Sequence, residues 1–250
     1  MEASLTSYGI VGRKRAMRIV LQNQNRQAND KDIVGTIETA YANSIQQETA
    51  IYQHIPTLYG YAKQCAHIVE LGGTDLGHAT VALLRGLLHN ADAALTRGMR
   101  PCLISVDKTL TWQMERTLET SRKSIVNHEV RLCESTADTD LPYTDMLFID
   151  SWHVFAHMEA ELERHHGRVR RWIVMHDTTV DGVSGESVRM NHPIAEEAKQ
   201  TGYLECDIRR GVWQAIIEFV DAHRDEWRLE RRWAVNNGLT VLARVSVDAS

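Results

Sequence analysis

The run WRLERRWAVNNGLTVLARVSV, residues 227–247, decides how the rest of this chain is read. Two β-type runs, 227–235 and 239–247, flank Asn236-Asn237-Gly238, and Asn with Gly between such runs marks an antiparallel hairpin. Upstream the rhythm is different. HIVEL (67–71), PCLISVD (101–107), HEVRLC (128–133), TDMLFID (144–150) and RWIVMHD (171–177) are near-continuous apolar runs. Helical patterns over 79–95, 109–123 and 153–166 separate them, and a further helix is expected from about Gly211 to His223. Strand–helix–strand repetition with apolar strands predicts a parallel sheet covered on both faces, with its ligand at the strands' C-terminal ends. A parallel sheet that closes on an antiparallel hairpin departs from the plain dinucleotide-binding arrangement.

Composition sets the outer bounds. The chain has 250 residues, 28 Lys+Arg against 33 Asp+Glu, a net charge of −5, and is 43% hydrophobic, which describes an ordinary globular protein with one good core. No stretch approaches about 18 apolar residues, so a membrane span is excluded, and the acidic balance argues against a dedicated nucleic-acid binder. Glu2 stands where a signal peptide carries positive charge, so a cytoplasmic location is expected. Cys65, Cys102, Cys133 and Cys206 stand alone and read as small hydrophobes in a reducing compartment. Residues 21–32 are polar and read as a loop or arm. Beyond them Ile33, Ile37, Tyr41 and Ile45 recur every fourth residue, an amphipathic helix that Asp30 or Asp32 could cap. Residues 1–53 are therefore expected to form a helical arm or cover, and 54–250 the main domain.

Four places carry the chemistry. In HIVELGGTDLGHAT (67–80), Glu70 ends the first strand, and Gly72, Gly73 and Gly77 occupy the turn before a helix. Glycines there let backbone N–H groups approach a ligand, although any tight strand-to-helix turn also wants Gly. The pattern E-x-G-G-x-x-x-G is not the G-x-G-x-x-G of dinucleotide enzymes. Asp107 ends the second strand, where an acid can accept both hydroxyls of a ribose or cap the next helix. Asp150, in LFIDSWH with His153, and His176-Asp177, in WIVMHDTT, end two further strands. Adjacent strands lie about 4.8 Å apart, so Asp150 and Asp177 could share a divalent cation. Without one, two close carboxylates would raise one pKa sharply. His176 and Asp177 can converge only if the strand has already turned between them.

The chain from about His54 to Val247 resembles the class I S-adenosylmethionine-dependent methyltransferases. More narrowly, it is similar to the group that includes macrocin-type sugar O-methyltransferases and cephalosporin-hydroxylase-like proteins. ELGGTDLG (70–77), LISVD (103–107), LFIDSWH (147–153), MHDTT (175–179) and NNGLTVLAR (236–244) carry the likeness, in the right order. It implies a Rossmann-like α/β fold with a mostly parallel seven-stranded sheet closed by an antiparallel C-terminal hairpin. It also implies that Glu70, Gly72, Gly73 and Gly77 wrap the methionine part of S-adenosylmethionine, that Asp107 holds its ribose, that Ser135 and Thr136 lie near its adenine, and that Asp150 borders it.

Asp150, His176 and Asp177 fall on positions that bind Mg²⁺ in metal-dependent members. His176 replaces a carboxylate there, which shifts preference towards Mn²⁺ if it ligates. His153 falls on the position of the base in some sugar methyltransferases, with Asp150 beside it. The expected activity is O-methylation of a sugar, glycan or glycosylated metabolite. The expected partners are that acceptor and, in a homo-oligomer, further copies of the chain, with no nucleic acid and no membrane. The rivals are an NAD(P)-dependent oxidoreductase and a non-catalytic cofactor-binding scaffold. RHHGRVRR (164–171) reads as a solvated helix end, and residues 178–193 as a lid over the site.

Overall fold

The computed structural model describes residues 30–73, 77–121 and 124–245; most of the polar stretch 21–32, part of the glycine turn and the end of the hairpin lie outside them. In chain order, α1 (Asp30–Gln46) and α2 (Ile55–Ala62) precede β1 (His67–Leu71), followed by α3 (His78–His89) and α4 (Ala91–Thr96). Then come β2 (Cys102–Asp107), α5 (Trp112–Ser121), β3 (Asn127–Leu132), β4 (Thr144–Ile149), α6 (Phe155–His165) and β5 (Val169–His176). Four helices follow, α7 (Glu186–Arg189), α8 (Ile194–Thr201), α9 (Glu205–Arg209) and α10 (Val212–Ala222), before β6 (Trp227–Trp233) and β7 (Leu239–Arg244). Among the described residues no helix is long and apolar enough to cross a membrane.

The seven strands form one sheet in the order β3-β2-β1-β4-β5-β7-β6. Strands β1 to β5 pair in parallel, and β7 runs antiparallel to both β5 and β6. The near-continuous apolar runs have a direct cause. Ile68, Met146, Phe148 and Val174 face one core with Leu58 and Leu83, whereas Val69, Leu147, Ile149 and Ile173 face another with Met158 and Ile216. Successive residues point to opposite faces, and both faces are covered, so neither parity can be polar.

One local feature differs from the sequence reading. The helix expected over 79–95 breaks at Asn90, whose side-chain amide donates to the Cys65 carbonyl (2.8 Å) and so anchors the break to the segment before β1. The described part of the segment expected as a helical arm or cover packs on the main domain, with Ile37, Tyr41 and Ile51 buried and Ile45 exposed. The hairpin turn holds this segment down. Asn236, Asn237 and Gly238 all have positive φ (47°, 68° and 99°), which is why Asn and Gly stand there. Asn236 accepts from the Gln53 amide (2.9 Å) and donates to the Thr49 carbonyl (2.8 Å), while His54 Nε2 donates to the Val235 carbonyl (2.9 Å).

Candidate active site

A cleft of about 410 Å³ opens at the C-terminal ends of the central strands, with Gly72, Gly73, Asp107, Thr136, Asp150 and Trp152 among its walls. At Gly72 (φ +79°) a Cβ would lie 2.1 Å from the Asp150 carbonyl oxygen, so only glycine lets the β1 turn rest against the end of β4. Gly77 (φ +65°) forms the N-cap of α3, with no side-chain hydrogen bond in that role. Asp107 ties two turns together: its Oδ2 accepts from the Gly73 amide (2.7 Å), and its Oδ1 accepts from the amides of Lys108 (2.5 Å) and Thr109 (3.2 Å).

Glu70 lies beneath the turn rather than on the cleft wall. It is fully buried and accepts hydrogen bonds from Ser105 Oγ (2.7 Å) and Thr80 Oγ1 (3.0 Å). Burial outweighs those hydroxyls and pushes its pKa up to about 7. Thr136 stands on the wall; its neighbour Ser135 is half-buried at the start of a short 3₁₀ turn and is not among the wall residues.

The other half of the site is built at the ends of β4 and β5. Asp177 has φ +56°, the left-handed turn that brings His176 and Asp177 together, with His176 Nδ1 3.2 Å from Asp177 Oδ1. His176 Nδ1 also lies 3.1 Å from Asp150 Oδ1, and its Nε2 donates to the Ala50 carbonyl (3.1 Å). His153 is enclosed by carboxylates: Asp150 at 3.3 Å, Asp177 and Glu186 at 3.4 Å, and the fully buried Asp181 at 4.0 Å. Desolvation disfavours its charged form, yet the contacts with Asp150 and Glu186 and the field of Asp177 hold its pKa well above the ordinary imidazole value. Desolvation likewise opposes charge on Asp150, but His176 and His153 hold its carboxyl below the usual range. Asp177 goes the other way, raised by burial against the pull of the same two histidines. Of the four residues, Asp150 lines the cleft, and His153 reaches it through Glu186.

This donor set fits a divalent cation. Among the described residues, Asp150 Oδ2, Asp177 Oδ1 and both ring nitrogens of His153 are buried without a hydrogen-bond partner, their ion-pair contacts lacking hydrogen-bond geometry. One ligand atom from each of Asp150, His153 and Asp177 can be chosen so that all lie within 4.8 Å of one another. His176, with Nε2 given to a backbone carbonyl, leaves Nδ1 facing the same two carboxylates, the usual posture of a histidine ligand with its outer partner in place.

Several functional neighbours escaped the sequence reading. Glu161 on α6 is fully buried and accepts from Thr136 Oγ1 (2.5 Å) and Ser151 Oγ (2.8 Å), with His157 Nε2 at 3.4 Å. Burial opposes its charge, but His157 and the hydroxyls hold its carboxyl below the ordinary range. Trp152 stacks on Tyr203 (6.1 Å, 28°) and donates to Ser187 Oγ (3.0 Å). The available signal was Glu161 and His157 sharing the face of α6 that also carries Met158 and Leu162. Residues 178–193 are a pinned wall rather than the expected lid. Thr178, Asp181 and Ser187 are fully buried, Arg189 clasps Asp181 (2.6 and 2.8 Å), and Ser184 pairs with Arg210.

No protein-family model and no curated protein matches the chain. Solved structures do. A putative caffeoyl-CoA O-methyltransferase from Staphylococcus aureus aligns with a TM-score of 0.50 at 12% identity, covering 85% of this chain and 92% of that one. The cofactor-bound protein Rv0187 from MTB aligns with a TM-score of 0.50 at 13% identity, covering 85% and 89%. Together with the strand order and the single reversed strand β7, these likenesses identify the fold as the Rossmann-like fold of the class I methyltransferases.

Proposed function

We propose that the chain is an S-adenosylmethionine-dependent O-methyltransferase, assisted by a divalent cation, that methylates a hydroxyl of a sugar or glycosylated small molecule. One observation carries the reading: Asp150, whose unpartnered oxygen lies with those of Asp177 and His153, shares the cleft wall with the glycine turn and Asp107. Among the described residues Asp107 Oδ2 has one partner, so it retains capacity for a ribose hydroxyl, and the backbone of Gly72 and Gly73 is open to the cleft. When bound, S-adenosylmethionine supplies an already activated methyl group, which leaves alignment and deprotonation of the acceptor to the protein. A cation held by Asp150, Asp177 and His176 Nδ1 would lower the pKa of an acceptor hydroxyl, with the nitrogen ligand favouring Mn²⁺ over Mg²⁺. His153, deprotonated once a bound cation offsets the carboxylates that raise its pKa, is the group placed to take the hydroxyl proton, its ring fixed by Asp177 and Glu186. The outer cleft supports a polyhydroxylated acceptor: His192, Glu197, Gln200 and Thr201 offer hydrogen bonds, and Trp152 offers an aromatic face.

The test has two arms. Calorimetry with S-adenosylhomocysteine and with NAD should show binding of the first alone, and the reverse result overturns the cofactor assignment. Methyl transfer from S-adenosylmethionine to a panel of sugar hydroxyls should stop in EDTA and return with Mn²⁺. The closeness of His153 and His176 to both Asp150 and Asp177 (3.1–3.4 Å) favours a second reading, a metal-free site in which the two rings as imidazolium ions neutralise the carboxylates. In that case EDTA does nothing, and His176→Ala is the inactive variant.

A further inference from the structure

The basic run 164–171 holds a feature that the cleft does not use. Glu163, His166 and His223 each offer a ligand atom, and the three lie within 4.8 Å of one another. His223 Nε2 is 3.0 Å from Glu163 Oε1, and the His166 and His223 rings lie 4.4 Å apart without a hydrogen bond between them. Phe219 packs on both rings (5.4 and 4.6 Å) and fixes them from one side. His166 Nδ1 is buried with no partner.

The position adds a second argument. His166 is the C-cap of α6 and His223 the C-cap of α10, so two helix C-termini converge here. The negative ends of both helix dipoles therefore face the three side chains, which favours a cation. Arg244, the nearby guanidinium, is held by the carbonyls of His166 and Val169 and by Glu226, and so is not the counter-ion of Glu163.

We infer that Glu163, His166 and His223 form a second metal site, selective for a borderline transition ion such as Zn²⁺, that clips α6 to α10. Two imidazoles and one carboxylate are a donor set that Zn²⁺ takes readily and that Mg²⁺, which prefers oxygen, does not. The site lies at the end of β5 opposite the cleft, about 25 Å away by the rise of an eight-residue strand, so its ion is structural. It does not depend on the methyltransferase reading, and either can fail alone.

The experiment is a ZnCl₂ titration of chelator-stripped full-length protein, followed by calorimetry and by melting temperature. In an Asp150→Asn/Asp177→Asn variant, which disables the cleft cluster, one equivalent of Zn²⁺ should still bind and raise the melting temperature, while MgCl₂ does neither. His223→Gln and Glu163→Gln in that background should each weaken Zn²⁺ binding by about 100-fold or more, beyond the loss expected for an outer-shell partner. CoCl₂ should give the strong visible absorption of a tetrahedral site, absent in His223→Gln. If the Asp150→Asn/Asp177→Asn background fails to fold, the same loss of one Zn²⁺ equivalent is read by comparing His223→Gln with wild type. Binding of no Zn²⁺ outside the cleft, or binding that survives both His223→Gln and Glu163→Gln, overturns the inference.

Discussion

The two halves of the cleft are built on opposite principles. On the β1–β2 side the acids are satisfied within the protein: Asp107 accepts three backbone amides, and Glu70 accepts two hydroxyls. On the β4–β5 side Asp150, Asp177 and His153 keep buried atoms without partners. Unsatisfied buried polar groups cost free energy, and the proposed cation would satisfy these. The first half therefore keeps its shape alone, and on the proposed reading the cation completes the second.

Substitutions on the unsatisfied side should have the largest effects on turnover. His153→Ala should lower kcat by about 10²–10⁴-fold, the range for a general base, while Mn²⁺ affinity measured by calorimetry changes little. Loss of the metal together with the rate would make His153 a ligand instead. On the satisfied side the largest effect should be on stability. Gly72→Ala meets both a positive φ and a backbone oxygen at 2.1 Å, and should destabilise the fold by about 3 kcal/mol or more in denaturant unfolding.

Glu70 gives a pH test of similar size. Its carboxyl is raised to about 7 when folded, so the folded state holds a proton that the unfolded state has already released. The stability this contributes is present below the ordinary pKa near 4.5 and is lost as pH rises through about 7. Glu70→Gln should therefore gain on wild type by about 3 kcal/mol between pH 4.5 and 7.5. A difference that stays flat across that interval would mean that Glu70 is charged in the fold. The smallest effect should be that of Asp107→Ala on cofactor affinity, a loss of about 1.5–3 kcal/mol for S-adenosylhomocysteine by calorimetry. Unchanged affinity would confine Asp107 to its three amides.

The sequence disclosed the sheet because burial on both faces writes itself as continuous apolar runs, and the reversal of β7 because Asn236-Asn237-Gly238 admits few other conformations. It placed Asp150, His176 and Asp177 at adjacent strand ends because they close those runs directly, and the structure brings them within ion-pair distance. It did not disclose Glu161, whose partners Thr136 and Ser151 arrive from two different loops, so its helical period alone says nothing of hydrogen bonds. The pinning of residues 178–193 was hidden for a related reason. Their anchors, Arg209, Arg210 and Asn237, lie far along the chain, and glycine-bearing polar segments read alike whether free or tied.

The Asn236 turn has a consequence for how the molecule comes into being. His176 is fixed by the Ala50 carbonyl, and the segment bearing Ala50 is fastened by Asn236, more than 180 residues later. A nascent chain emerging from the ribosome can form β1 to β5 and still lack the strap that orients its histidine. The site is complete only once the hairpin has folded back across the first helices, so its assembly waits on a contact between residues more than 180 positions apart.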